Sequence, residues 1–306
     1  MHSRMWNKPW TMKEGFLIGG SLMIAGIALQ LSAGPVVWKA FAWPVNGIVM
    51  AVFLAVMAAI FLLRKKVFAF LFVSTYQAAI PAMLFAVVLT VIMGLTRQEP
   101  NGTWLNDMLT FWPFVLIYVY VALILGLVVL RQLKTWAAAH FSLTAFRFSL
   151  LSHLGLFLAL TCATLGNADM QRVKMVTAIG EKEWRALDTS GAVKEMPFSI
   201  ELEKFIMETY EDGSPKRFAS DILIQTKSDK TVETIVDVNK PAEIEGWKIY
   251  QFGYDTQMGA QSQVSILELV SDPWLPLVYA GIYMMLAGAV CMFVTGRPRT
   301  SVKRKE

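Results

Sequence analysis

The chain has 306 residues, of which 55% are hydrophobic and 17% are charged, and its net charge is +5 at neutral pH. A mean hydropathy of +0.48 exceeds what a soluble domain of this length carries, so the composition indicates a membrane protein. Both cysteines, Cys162 and Cys291, lie in apolar stretches, which excludes a disulfide framework and an exposed thiol redox pair.

Six apolar stretches approach the ~20 residues that a membrane-spanning helix needs. They cover residues 15–34, 43–63, 68–95, 112–130, 148–166 and 273–296. The third is long enough to tilt or bend, and Pro81 removes one backbone donor inside it. The first could instead be a cleaved secretory signal, but its apolar run is long for a signal core, so we expect it to be retained.

The distribution of Lys and Arg predicts the orientation, because short cytoplasmic loops carry the excess of these residues. They cluster before the first span, after the second, between the fourth and fifth, and at the end of the chain. We therefore predict a multi-pass protein of the bacterial cytoplasmic (inner) membrane, with both termini cytoplasmic and residues 167–271 extracytoplasmic.

Residues 167–271 hold 12 Lys and Arg and 18 Asp and Glu, so the basic charge lies beside the spans. There it sets topology and meets membrane lipid, and no nucleic-acid partner is expected.

Between the fifth and sixth spans the pattern changes to strict alternation, in which Phe198, Ile200 and Leu202 are separated by polar residues. This period of two predicts strands, with further strands at 205–210, 218–226, 231–238, 248–254 and 264–270. The predicted fold is a polytopic α-helical membrane protein with a small extracytoplasmic antiparallel β-domain inserted between the last two spans. Its domains are residues 1–166, 167–271 and 272–306.

His153 is the one ionisable side chain of the apolar run 149–162. Intramembrane ionisable groups are costly, so a metal or haem ligand and a proton-handling group are the two functional interpretations. A buried histidine that bonds a neighbouring helix is the structural alternative. From Arg147 to His153 is ~9 Å of helix, which places the imidazole in the cytoplasmic half of the bilayer.

The same span carries small residues at four-residue spacing, namely Gly155, Ala159 and Ala163. Such a stripe lets another helix approach closely. His153 lies ~200° around the helix from Gly155. We therefore predict that the stripe packs inside this chain while His153 faces a partner protein or a haem cavity.

The C-terminal part of the chain contains two short motifs. An N-x-P…G-W-x-x-Y-Q pattern precedes the last strand, and an Asp-Pro pair leads into the final span; the residues are Asn239, Pro241, Gly246, Trp247, Tyr250, Gln251, Asp272 and Pro273. Both motifs resemble the ResB family of cytochrome c biogenesis proteins, and the sequence around His153 resembles that family's histidine-bearing helix. The resemblance covers about half of the chain, from about residue 148 onward, with part of the third span.

The resemblance implies a role in System II, which moves haem across the membrane and attaches it to apocytochrome c. A CcsA-like partner performs the attachment, so this chain is not expected to be the enzyme. His153 corresponds to the histidine that holds haem near the cytoplasmic side, where haem b would be bound transiently and shared with the partner. Arg147 could contact a haem propionate, although a charge that only sets topology is the ordinary interpretation.

Two other functions stay open. The chain could be a non-catalytic scaffold whose β-domain recruits apocytochrome or partner, with His153 bonding only a neighbouring helix. A small-solute transporter is disfavoured because the spans lack paired charges and a repeated half. Many family members have about four spans and a larger external domain, so the first two helices have no assigned role.

Overall fold

The structure of the chain, a computed structural model, describes residues 6, 8–99, 102, 104–141 and 148–295. It divides into two compact units. The first, called the membrane unit, comprises Met1–Ala168 and Trp274–Glu306. The second, called the β unit, comprises Asp169–Pro273.

The described part of the membrane unit contains seven α-helices. They are α1 (Met12–Ala33), α2 (Val45–Leu63), α3 (Phe68–Val73), α4 (Tyr76–Leu95), α5 (Trp112–Ala138), α6 (Phe148–Gly166) and α7 (Leu275–Thr295). All except α3 are long and apolar enough to cross a membrane, which confirms the predicted polytopic helical fold. Helices are the expected solution because they satisfy every backbone polar group within one segment.

The predicted third span is two helices, and the interruption falls at Ser74 and Thr75. The Ser74 hydroxyl donates to the carbonyl of Phe70 at 3.3 Å, and the Thr75 hydroxyl donates to the carbonyl of Phe72 at 2.6 Å. Hydroxyl bonds of this kind compete with the helical ladder, so the chain breaks here. Pro81 lies buried within α4.

Helix α5 extends to Ala138, eight residues beyond the predicted end of the fourth span at residue 130. The added segment, RQLKTWAA, consists mostly of good helix formers. Arg131, Lys134 and Thr135 of this last part of α5 are exposed, whereas Gln132 is half-buried; the sequence had indicated a loop here.

Helices α6 and α7 pack through glycine. A Cβ atom added to Gly155 would lie 2.5 Å from the carbonyl oxygen of Gly281, and one added to Gly281 would lie 2.6 Å from the backbone nitrogen of Ala159. Two backbones can approach this closely only where no side chain intervenes. The predicted small-residue stripe thus packs inside the chain at Gly155 and Ala159, while Ala163 lines a cavity.

The β unit contains a single eight-stranded sheet, confirming the predicted antiparallel domain. Its strands are β1 (Gln171–Ala178), β2 (Lys182–Asp188), β3 (Val193–Thr209), β4 (Pro215–Thr226), β5 (Thr231–Asp237), β6 (Ala242–Ile244), β7 (Trp247–Tyr254) and β8 (Val264–Ser271). The order across the sheet is β5-β4-β3-β2-β1-β8-β7-β6, and every neighbouring pair is antiparallel. The first two strands were not predicted, and β3 joins two predicted strands through a register shift between Leu202 and Lys204.

The sheet curls so that one face encloses the core. Ser220 in β4 donates a 2.6 Å hydrogen bond to Gln251 in β7, although these strands stand five places apart in the sheet. All eight strands contribute to one apolar cluster that includes Phe198, Ile222 and Leu267. The alternation that predicted the strands is therefore the alternation between this core and solvent.

We predict that Gly155→Leu weakens the membrane unit by about 1–3 kcal/mol, because an overpacked interface must separate α6 from α7. The measurement is the midpoint of thermal unfolding of the purified full-length protein in detergent. Gly94→Leu is the matched control, since a Cβ at Gly94 meets no atom within 4 Å. Equal midpoints for the two variants would contradict the close glycine contact.

Candidate functional site

His153 lies in the second turn of α6 and is half-buried. Its Nδ1 atom is 3.3 Å from Nε2 of Gln132, which lies in the last turns of α5. The same amide nitrogen is 3.4 Å from the Ser149 hydroxyl. The end of α5 and the start of α6 thus meet through a small polar contact in otherwise apolar helices.

This polar contact is incompletely satisfied. Among the described residues, Gln132 is the hydrogen-bond partner of the His153 ring, and Oε1 of Gln132 is buried without any partner. An unpaired buried acceptor ordinarily costs free energy, so it is an unusual feature to retain. The other imidazole nitrogen, Nε2, has no hydrogen-bond partner among the described residues.

The surroundings of the contact are apolar. Leu150 and Leu154 of α6 belong to a hydrophobic cluster with Leu133 and Trp136 of α5 and with Met57 of α2. Arg147, the second predicted haem contact, lies outside the described residues.

A cavity of about 430 Å³ occupies the other end of the membrane unit. Helices α2, α4, α5 and α6 supply its walls, which are largely apolar and include Phe53, Phe114 and Leu160. His153 does not line it; from His153 to Leu160 is about 10 Å along α6. The structure therefore separates the imidazole from this cavity.

The motif residues form a turn and a hairpin in the β unit. Asn239 lies in the turn after β5, and half-buried Pro241 follows it. Glu245 and Gly246 have φ values of 47° and 81° and form the two-residue turn between β6 and β7. A turn with two positive φ values matches the twist of a hairpin, which explains glycine at the second position.

The remaining motif residues have structural positions. Trp247 is buried in the sheet core, Tyr250 is half-buried in β7, and Gln251 is buried. Asp272 and Pro273 close the β unit just before α7 begins at Leu275. The motif therefore builds the end of the β unit, and its tryptophan serves the core, as the sequence suggested.

Gln251 is the centre of a buried polar network. Its Oε1 accepts from the Ser220 hydroxyl at 2.6 Å, and its Nε2 donates to the Ser265 hydroxyl at 2.9 Å and to the Gly253 carbonyl at 2.8 Å. The network connects β4, β7 and β8, which holds the curled sheet together. Sequence reasoning identified Gln251 only through the motif and gave it no partners.

Three carboxylates converge on the β3, β4 and β5 side of the sheet. Oxygen atoms of Glu203, Asp221 and Glu233 lie within 4.8 Å of one another, and Glu203 sits at the register shift in β3. Desolvation, followed by the charges of Glu233, Asp221 and Glu201, raises the pKa of Glu203. The cluster was not predicted, because its members are far apart in sequence. Each of them, considered alone, is an ordinary solvated residue.

Six apolar helices and an eight-stranded sheet inserted before the last of them define a multi-pass membrane protein with a β-rich domain. The sequence model of the ResB-like family matches residues 147–263. The predicted resemblance is therefore confirmed over this segment, which contains α6 and most of the β unit. The match supports a role in cytochrome c biogenesis.

Among solved structures, the chain is similar to one titled Cytochrome c Heme Lyase CcmF, with 13% sequence identity and a TM-score of 0.36. The alignment covers 92% of this chain and 46% of that chain, so the present chain spans about half the length of that protein. No curated protein matches the sequence.

Sequence reasoning missed Gln132, the residue that contacts His153 at the candidate site. It lies two residues beyond the predicted end of the fourth span, where a polar side chain is expected to meet water. The only available signal was a glutamine next to an apolar run, and nothing in that signal pointed to His153 as its neighbour.

We predict that Gln251→Leu destabilises the β unit by about 1–3 kcal/mol, because it removes the buried amide that bonds the Ser220 and Ser265 hydroxyls and the Gly253 carbonyl. Hydrogen exchange of β4, β7 and β8 in the full-length protein should accelerate roughly tenfold for each 1.4 kcal/mol lost. Gln263→Leu is the control, since the Gln263 side chain is exposed and, among the described residues, its amide donates to the carbonyl of its near neighbour Gln261. Unchanged exchange in Gln251→Leu would show that the network contributes no stability.

We predict that Glu203 titrates above its ordinary pKa of 4.5 and that Asp221→Asn moves its pKa back toward that value. Because the folded chain binds this proton more tightly than the unfolded chain, the ionised cluster lowers stability above the raised pKa. This loss of stability disappears as pH falls through the raised pKa of Glu203. Carboxyl ¹³C NMR measures the titration, and Glu211→Gln in the exposed β3–β4 turn is the control. An unchanged titration midpoint of Glu203 in Asp221→Asn would refute the coupling between these two carboxylates.

Proposed function

We propose that this protein takes part in haem transfer across the bacterial cytoplasmic membrane and in its delivery to apocytochrome c, in complex with a CcsA-like protein. The supporting observation is that the ResB-like match includes α6 and therefore His153. Haem attachment is assigned to the partner, since residues 167–271 of this chain contain no histidine.

His153 is the proposed axial ligand. Haem iron accepts an imidazole nitrogen in its axial position, and the apolar porphyrin face suits a hydrophobic wall. Three properties of the site fit this group: a half-buried ring, an open Nε2 and the apolar cluster around Leu150 and Leu154. Arg147, six residues earlier, is the proposed contact of a propionate.

The proposed topology places both termini in the cytoplasm and the β unit outside. It rests on the positive residues at the cytoplasmic ends of the spans, among them Arg64, Lys65 and Lys66 after α2 and Arg131 in α5. In this orientation the ends of α5 and α6 that hold Gln132 and His153 lie near the cytoplasm, where haem b would be loaded. The β unit then faces apocytochrome and the external part of the partner.

One observation favours the alternative, a scaffold without haem. The hydrogen bond between His153 and Gln132 already gives the ring a partner within the chain. In the scaffold function the β unit recruits apocytochrome or the haem-handling partner, and His153 only fixes α6 to α5.

The deciding experiment is the visible spectrum of the full-length protein, purified with and without its CcsA-like partner. We expect a Soret band that is lost or shifted in His153→Ala. His140→Ala is the matched control, because His140 is exposed in the segment after α5. A spectrum unaffected by His153→Ala, or no Soret band in either preparation, would overturn the haem proposal and support the scaffold.

A further inference from the structure

We propose that Gln132 is the positioning residue of His153 and that its side-chain amide supports the imidazole in both neutral tautomers. The amide donates to Nδ1 when the ring proton is on Nε2, and it accepts from Nδ1 when Nε2 is free to bind iron. The claim that Nε2 becomes free to bind iron rests on the proposed haem function. The claim that the amide positions the ring does not.

The geometry makes ring orientation depend on Gln132. The 3.3 Å contact to Nδ1 is the one hydrogen bond of the imidazole within the described residues. Gln132 is itself held between helices, because its Nε2 also lies 3.4 Å from Ser149 on α6. Rotation of the His153 ring would break this contact.

The observed orientation favours one tautomer. An amide NH₂ can only donate, so Nδ1 accepts and the proton of the neutral ring lies on Nε2. A nitrogen that carries a proton cannot ligate a metal. Histidines that ligate through Nε2 carry their proton on Nδ1 and donate it to an acceptor.

Gln132 contains the required acceptor, its side-chain oxygen Oε1. This oxygen is buried and has no partner among the residues that the structure describes, and the two ends of an amide have the same shape. A half-turn of the amide therefore places Oε1 against Nδ1 without moving either helix, and the Ser149 hydroxyl can then donate to the same oxygen. In this second tautomer the ring proton is on Nδ1 and no longer on Nε2, so the charge of the site does not change.

This dual role explains the side chain at position 132. A carboxylate could only accept and would hold the proton on Nδ1, while a lysine could only donate. A leucine could do neither, and would leave the ring free to rotate. Glutamine alone among these keeps one ring orientation for both tautomers, and it introduces no charge into the span.

The test is ¹⁵N NMR of the full-length protein labelled at histidine, with the His153 signals assigned by their loss in His153→Ala. In the protein without haem we expect Nδ1 to be unprotonated and Nε2 protonated. Gln132→Glu should move the proton to Nδ1, which reverses the chemical shifts of the two nitrogens. Gln132→Leu should give a mixture of tautomers with broadened signals.

Gln77→Leu is the matched control. Gln77 lies in the first turn of α4, and its Oε1 is likewise buried without a partner among the described residues. We expect the His153 shifts to be unchanged in this variant. Shifts of His153 that are the same in the wild type, Gln132→Glu and Gln132→Leu would overturn the inference.

Haem titration of the same variants separates this inference from the proposed function. We expect Gln132→Glu to retain the His153-dependent Soret band and Gln132→Leu to weaken or broaden it. A tautomer that follows Gln132 in a protein without any Soret band supports the positioning role and overturns the haem function. If the Soret band requires His153 but the ¹⁵N chemical shifts of His153 are the same in the wild type and the Gln132 variants, the haem function is supported and the positioning role is overturned.

Discussion

The insertion of a sheet between α6 and α7 requires that the end of α6 and the start of α7, which are far apart in the sequence, lie close together. In the membrane unit, α6 and α7 approach through Gly155 and Gly281, and Gly166 packs against Trp274. In the β unit, the first and last strands pair along their whole length, beginning with Gln171 opposite Ser271. Each unit thus closes its own ends by backbone contact, so the chain can pass from one to the other and back without opening either fold.

The bilayer makes any remaining polar side chain conspicuous, because helices already satisfy their own backbone. In α5 and α6, Gln132, Ser149 and His153 form one such polar contact between the two helices. The β unit uses polarity differently, since Gln251 and its serine partners are fully bonded and support the curled sheet. A satisfied network stabilises a fold, whereas an unsatisfied amide beside an open imidazole nitrogen can still respond to a ligand.

The fold could be predicted where one local signal dominates. The limits of α6 agree with the predicted span because its apolar run has polar neighbours on both sides. The interruption at Ser74 and Thr75 was missed because hydropathy does not register side-chain bonds to carbonyls. Strands β1 and β2 were missed because apolar residues such as Val176 and Leu187 are exposed, so the polarity of the residues does not follow their burial. At the candidate site, His153 was evident as a lone ionisable group, but Gln132 was not.

The sequence by itself determined the class of the protein, since the length and apolarity of its spans, the strand alternation and the ResB-like motifs are local properties. It also singled out His153, because an imidazole in an apolar run needs no neighbours to be noticed. Only the tertiary structure decided which groups surround that imidazole and how the motif residue Gln251 is used. The contacts join residues 21 positions apart at His153 and 31 positions apart at Gln251. Helix packing and sheet curvature create such contacts, and no pattern along the chain encodes them separately.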